Sequence, residues 1–285
     1  MSASTVLYDA PGPLTRRRHL LYSVLFGVVL AAAVVWVVLK LKDAGEFDQR
    51  VIDGLTRTNV WNAIGDGVVA TLKVAGLAIV LSVAFGLLLA FGRMADRTWI
   101  RVPCRWLIEF FRAVPVLLMI IFLRALTGGH GLEIETRALI ALVGGLTLYN
   151  GSVLAEVFRA GVQAVPRGQS EAAYAIGLRK GQVMRIVLMP QAIRYMLPAI
   201  ISQCVVALKD TSLGFIVAYP ELTSQGRQIA LFLHNNLMVW VVIAAVYITL
   251  NNVVSEIATL LERRLSRGRG ASKAIAEVEE VLPAG

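Results

Sequence analysis

Apolar residues in this chain fall in long blocks, not in the short alternation of a half-buried strand. The cleanest block, Leu20 to Leu39, is uncharged over 20 positions. At ~1.5 Å per residue that crosses a hydrocarbon core of ~30 Å. Five further blocks follow: Val74 to Gly92 inside a longer apolar stretch from Gly67, Pro103 to Leu126, Ala138 to Ala155 continuing to Gly161, Tyr195 to Tyr219, and Met238 to Ile257. The pattern predicts an all-α polytopic membrane protein with six transmembrane helices. The third, fourth and fifth blocks carry interior charges, the mark of helices that line a pathway, because a lipid-facing charge costs several kcal/mol.

The boundaries follow from the same pattern. Residues 1–19 read as an N-terminal segment, with Pro11 and Pro13 opposing helix over 1–15, then 20–39 as the first span and 40–66 as an external loop. Residues 67–262 read as a five-helix core containing a long loop over 163–191, and 263–285 as a tail. A cleaved signal would have a shorter apolar stretch ending in small residues. Here Lys40-Leu41-Lys42-Asp43 follows, so the first span is read as retained.

Composition sharpens this. The chain is 57% hydrophobic and 16% charged, against about a quarter charged in soluble domains. That excludes an ordinary soluble enzyme and a nucleic-acid-binding module despite a formal charge of +9. The basic residues are informative by position. Arg16–Arg18, then Arg93, Arg97, Arg101 and Arg105, then Arg167, Arg179, Lys180 and Arg185, and finally Arg263, Arg264, Arg267, Arg269 and Lys273 fall on alternate loops. The other loops mix signs, so both termini are expected in the cytoplasm. Ala78, Ser82, Gly86 and Ala90 recur every four residues, a stripe that lets helices approach closely.

The 163–191 loop is punctuated. Pro166 and Gly168 break the incoming helix. Ser170 is placed to cap a new one, with Glu171 at its positive end. Ala172, Ala173 and Ala175 give it a slim face, Gly177 suits a left-handed end, and Pro190 marks a second boundary. A short defined helix of this kind suits a groove on another protein.

Glu171-Ala172-Ala173, Gly177, and Leu188-Met189-Pro190 closely resemble the EAA loop of ABC importer permeases. Arg112-Ala-Val-Pro115, Ala155-Glu156-Val-Phe-Arg159-Ala-Gly161, Val165-Pro166-Arg167-Gly168-Gln169 and Leu208-Lys209-Asp210-Thr211-Ser212-Leu213 resemble the polar amino acid branch, over Gly67 to Glu262. Ala113-Val114 departs from that pattern, which has a small and a hydroxylated residue there. Val6 to Pro13 resembles actinobacterial glutamate permeases of the family.

The resemblance implies a type I ABC importer permease fold, two cytoplasmic ATPases that bind ATP and Mg, a second permease subunit, which is either another copy or a homologous chain, and an extracellular amino-acid-binding protein. It implies that Arg167, Gly168, Glu171, Ala172, Ala173, Gly177 and Leu178 engage the ATPase. The chain lacks a phosphate-binding loop of the Gly-x-x-x-x-Gly-Lys type, so no enzyme activity and no cofactor of its own is expected. Its histidines, His19, His130 and His234, are scattered, and Cys104 and Cys204 form no spaced pair.

Candidate pathway residues are the charges and polar groups inside the spans: Arg112 and Pro115, Glu156 and Arg159, and Lys209, Asp210, Thr211 and Ser212. Arg112 is spaced to pair with Glu109, and Arg159 with Glu156. Lys209 would lie roughly 20 Å into its span. Asn251 and Asn252 read as interhelical hydrogen-bonding groups, and Lys73 as a snorkelling side chain. The expected substrate is a polar amino acid, glutamate first, with glutamine, arginine and histidine as alternatives. An ion-coupled carrier working alone is the rival class.

Overall fold

The computed structural model describes residues 12–129 and 131–266, and every regular element among them is helical. In chain order the helices are α1 (Pro13–Asp43), α2 (Gln49–Leu55), α3 (Thr58–Arg93), α4 (Thr98–Ala113), α5 (Val116–Leu126), α6 (Ile134–Gln163), α7 (Arg167–Ala175) and the single turn α8 (Lys180–Gln182). A π-helical segment, Val183–Leu188, leads into α9 (Met189–Asp210). A 3₁₀ segment, Thr211–Val217, then α10 (Leu222–Leu233) and α11 (Leu237–Ser266) complete the order.

Among the described residues five helical runs are long and apolar enough to cross a membrane, and α4 with α5 makes a sixth if that bent pair is one span. Pro13 behaves differently from expectation. Pro13 opens α1 at its first turn, where its missing N–H removes no helical bond. Pro11 lies outside the described residues, as do His130 and the tail beyond 266.

The helix α3 is the spine. Its 36 residues extend over about 54 Å, and three apolar cores lie along it. At its start Val60 and Ile64 meet Leu222, Ile229, Val239 and Ile243 of α10 and α11. In the middle Val74 and Ala78 meet Ile120, Leu142, Leu146 and Tyr219. Towards its end Leu89 and Ala90 meet Ile108, Leu154, Phe158 and Met196.

The small-residue stripe is the seam with α6: Ala78, Ser82 and Ala90 are at most 1% exposed. A Cβ added at Gly86 would stand 2.8 Å from the Gly151 carbonyl oxygen, so the backbones touch there. Dispersion between close backbones substitutes for the hydrophobic drive that lipid does not supply.

The structure changes several expectations. Residues 40–66 are mostly helical: α1 ends at Asp43, α2 follows, and α3 already starts at Thr58. The main-chain oxygen of Glu46 accepts from Asn235 Nδ2 at 3.1 Å, which ties this stretch to the α10–α11 corner. By contrast α1 is exposed from Leu14 to Lys40, so its apolar surface faces away from the rest of the chain.

The third block is broken, with α4 and α5 meeting at 102°. Val114 is extended, as a residue before proline tends to be, and Pro115 is extended too, so two residues turn the chain. An apolar cleft of about 450 Å³ fills the inside of this elbow, between Phe110, Phe111, Leu118 and Phe122. Pro190 does not end a helix. It sits in the first turn of α9, directly after the π segment, and the helical run continues. Asn251 donates to the Tyr247 carbonyl of its own helix at 2.8 Å, and Asn252 is exposed; neither bridges helices among the described residues.

Candidate functional site

The helix α7 starts at Arg167, with Pro166 as its cap. Ser170 is therefore inside the first turn and donates to the Arg167 carbonyl at 2.8 Å instead of capping. Glu171, expected in the first turn, falls in the second. The end of α7 is as the sequence reads. Gly177 has φ +85°. Its N–H donates to the Tyr174 carbonyl at 2.9 Å and the Leu178 N–H to the Ala173 carbonyl at 3.2 Å. This pair of bonds closes a helix end around a left-handed glycine.

Ala173 is buried, and the π segment is what packs against α7. The outward surface is formed instead by Arg167, Gly168, Glu171, Ala172, Ala175 and Gly177, with Tyr174 at 49% and Ile176 at 78% exposure. Leu178 is half-buried. Two apolar side chains on a small-residue surface make a patch that water does not favour, of the kind a protein partner covers. This segment is also tied to the α3–α4 turn, because Lys180 pairs with Asp96.

Glu156 and Arg159 come together at the same end of the bundle. Arg159 donates to Glu156 Oε2 at 3.0 and 2.9 Å and to Gln163 Oε1 at 2.7 Å, while Arg93 of α3 pairs with the other oxygen. One carboxylate thus bridges α3 and α6. The Arg112–Glu109 pairing does not form. Glu109 accepts from Arg105 at 2.7 Å, and Arg112, like Pro115, is exposed.

Lys209 and Asp210 end α9 and have no ion-pair partner among the described residues. Lys209 is exposed and Asp210 half-buried. Thr211 is buried and already donates to the Leu208 carbonyl at 2.7 Å, whereas Ser212 is half-buried. The four consecutive polar residues therefore divide into one structural group and three that remain open to a ligand or a neighbouring subunit.

Two polar clusters go beyond the sequence expectations. Asn150, 1% exposed and near the middle of α6, accepts from Gln203 of α9 at 2.5 Å and donates to the Leu146 carbonyl at 2.9 Å. An amide in the middle of an apolar block was the available signal. In the other cluster Glu221 is fully buried at the start of α10. It accepts from the Thr223 and Ser224 N–H groups at 2.7 and 2.8 Å and from Tyr247 at 2.7 Å. Burial pushes this carboxyl above the usual carboxylate range, and these bonds hold it back. Thr71 of α3 accepts from the Leu222 N–H at 3.1 Å beside it, so α3, α10 and α11 are joined at one point.

Residues 82–267 match the family described as binding-protein-dependent transport system inner membrane component. The chain belongs to that family.

A glutamate transport system permease of Corynebacterium glutamicum is 37% identical over 84% of this chain and 89% of its own length. A probable glutamine ABC transporter permease of Bacillus subtilis is 38% identical over 55% of this chain and 71% of its own. A crystal structure titled as an amino acid ABC transporter with histidines superposes with a TM-score of 0.68 at 30% identity, covering 74% of this chain and 97% of that one.

The protein is accordingly a membrane permease of an amino acid ABC importer, with the type I fold, and not itself an enzyme. ATP is handled in this family by partner ATPases, and a binding protein is implied as the other partner.

Proposed function

We propose that this permease carries glutamate into a bacterial cell. The observation that carries the reading is the similarity to the Corynebacterium glutamate permease over most of both chains. Charge supports it. A side-chain carboxylate entering a low-dielectric path needs a cation or firm hydrogen bonds. Lys209 has no ion-pair partner among the described residues, and Ser212 offers a neutral donor. Asp210, Glu156, Arg159, Thr211 and Pro115 complete the proposed path, with Glu156 and Arg159 acting through the ion pairs that hold α3 to α6. Glutamine is the second reading, favoured by the Bacillus relative.

In this account residues 167–178 seat α7 in a groove of the ATPase. Closure of an ATPase pair moves α7, and the helices rock between outward- and inward-facing arrangements. A second permease, identical or homologous, completes the path. The Lys and Arg asymmetry supports six spans with both termini in the cytoplasm, 40–66 outside, and 163–191 and 263–285 inside.

Competition decides the substrate. Uptake of labelled glutamate by the complete transporter should be suppressed by excess unlabelled glutamate and far less by arginine or histidine. Suppression by glutamine at equal or lower concentration favours the second reading, and suppression by arginine without glutamate transport removes both.

A further inference from the structure

The helix α4 presents three different surfaces. Ile108 is fully buried, Cys104 packs beside Gly92, and Phe111 meets Phe85 edge-on at 6.1 Å, so one surface rests on α3 and α6. At 100° per residue, Arg101, Arg105, Glu109 and Arg112 occupy a second surface and Val102, Trp106, Trp99 and Phe110 a third. The third surface is apolar and open: Trp99 is 69%, Trp106 67% and Phe110 59% exposed. On the second, Arg105 is paired with Glu109, while Arg101 and Arg112 are exposed and have no ion-pair partner among the described residues.

Position adds to composition. Cys104 lies beside the last turn of α3, Asp96 just before α4 pairs with Lys180 of the coupling segment, and α5 leaves at 102°. So α4 begins at the α7 end of the bundle and lies across the direction of the half-span α5. A helix with tryptophans on one side and arginines on another, at the end of a membrane bundle, is built to lie in the lipid interface.

We propose that α4 is a binding site for anionic phospholipid, with Trp99, Trp106 and Phe110 among the acyl chains and Arg101 and Arg112 on the phosphate headgroups. The cationic side chains fit an anionic headgroup and have no reason to prefer a zwitterionic one. A second permease subunit is the other occupant of so apolar a surface. It would leave Arg101 and Arg112 unexplained unless it brought matching carboxylates. The inference rests on the membrane assignment and is independent of which amino acid is carried.

The test uses the full-length chain assembled with its partner subunits. Trp36, Trp61 and Trp240 are replaced by Phe so that Trp99 and Trp106 report, and a complex also lacking those two gives the background. The assembly is placed in vesicles containing tail-brominated phosphatidylglycerol or tail-brominated phosphatidylcholine. Quenching should be stronger with the glycerol lipid at equal mole fraction. The double variant R101Q/R112Q, which breaks no hydrogen bond or ion pair among the described residues, should lose that preference, about fivefold for each arginine. Absence of quenching by either lipid shows that protein covers the surface and overturns the proposal. Equal quenching by both lipids, unchanged in R101Q/R112Q, overturns it as well, since the lipid contact is then blind to the headgroup.

Discussion

Replacing Gly177 isolates one physical term at the coupling segment. No atom lies within 4 Å of a Cβ built at this position, so a larger side chain meets no steric obstacle. What remains is the backbone at φ +85°, where an L-residue costs about 1–2 kcal/mol and a β-branched one sits at or above the top of that range. The alternative is to abandon the left-handed turn. That forfeits the bonds from Gly177 and Leu178 to the Tyr174 and Ala173 carbonyls, each worth about 0.5–1.5 kcal/mol. Either route costs about 2 kcal/mol, close to a thirtyfold shift in the ratio of ordered to frayed helix end. A nine-residue helix has no reserve of its own against such a loss. It stands outside the three apolar cores, so overall folding should change little.

The expected order of damage is Gly177→Val, then Gly177→Ala, then Gly177→Asn, because asparagine tolerates the left-handed region. Reconstituted complexes should show falling amino acid uptake and falling stimulation of ATP hydrolysis by the loaded binding protein, with normal insertion and raised hydrogen exchange over 167–178. Full uptake and full stimulation by Gly177→Val would refute the reasoning, since the left-handed end would then be unnecessary for coupling.

Three further outcomes follow from the same geometry. Glu221 has a carboxyl pKa raised by burial, so its contribution to stability is present at low pH and is lost as pH rises through the raised value. The melting temperature of the parent relative to Glu221→Gln should therefore fall from pH 4 upward, and a relative gain with rising pH would show that the hydrogen bonds outweigh burial. Lys209→Met should reduce glutamate uptake much more than glutamine uptake in a transporter that accepts both. Equal losses would assign Lys209 to the shared amino acid moiety or to subunit packing. A cysteine at Gly129 should react with an impermeant thiol reagent from outside the cell and one at Thr98 only after permeabilisation, and the reverse pattern would invert the proposed topology.

The parts of the fold legible in the sequence are those set by local pattern. Long apolar runs give the spans, the four-residue spacing from Ala78 to Ala90 gives the α3–α6 seam, and Gly177 gives the end of α7. The elbow is less legible. Pro115 marks a weak point, but the size of the turn depends on Val114 and Pro115 both being extended, and only backbone geometry shows that. Charge pairing is ambiguous for a related reason. Glu109 has arginines at both i−4 and i+3, and the pairing goes to Arg105, leaving Arg112 at the last turn of α4. Contacts between distant segments, such as Lys180 with Asp96, leave no local trace, and the amide at Asn150 does not point to Gln203 as its partner. The slim surface of α7 was legible as a feature but not in its direction. Packing against the π segment turns Ala173 inward and leaves Ala172, Tyr174, Ala175 and Ile176 outward.

The most direct test of the whole assignment is accumulation of labelled glutamate in proteoliposomes holding this chain, its partner permease where one exists, the ATPase and the binding protein. Accumulation should require ATP on the α7 side and should vanish with an ATPase unable to hydrolyse it. Accumulation that persists without the ATPase, driven by a sodium or proton gradient alone, would contradict it.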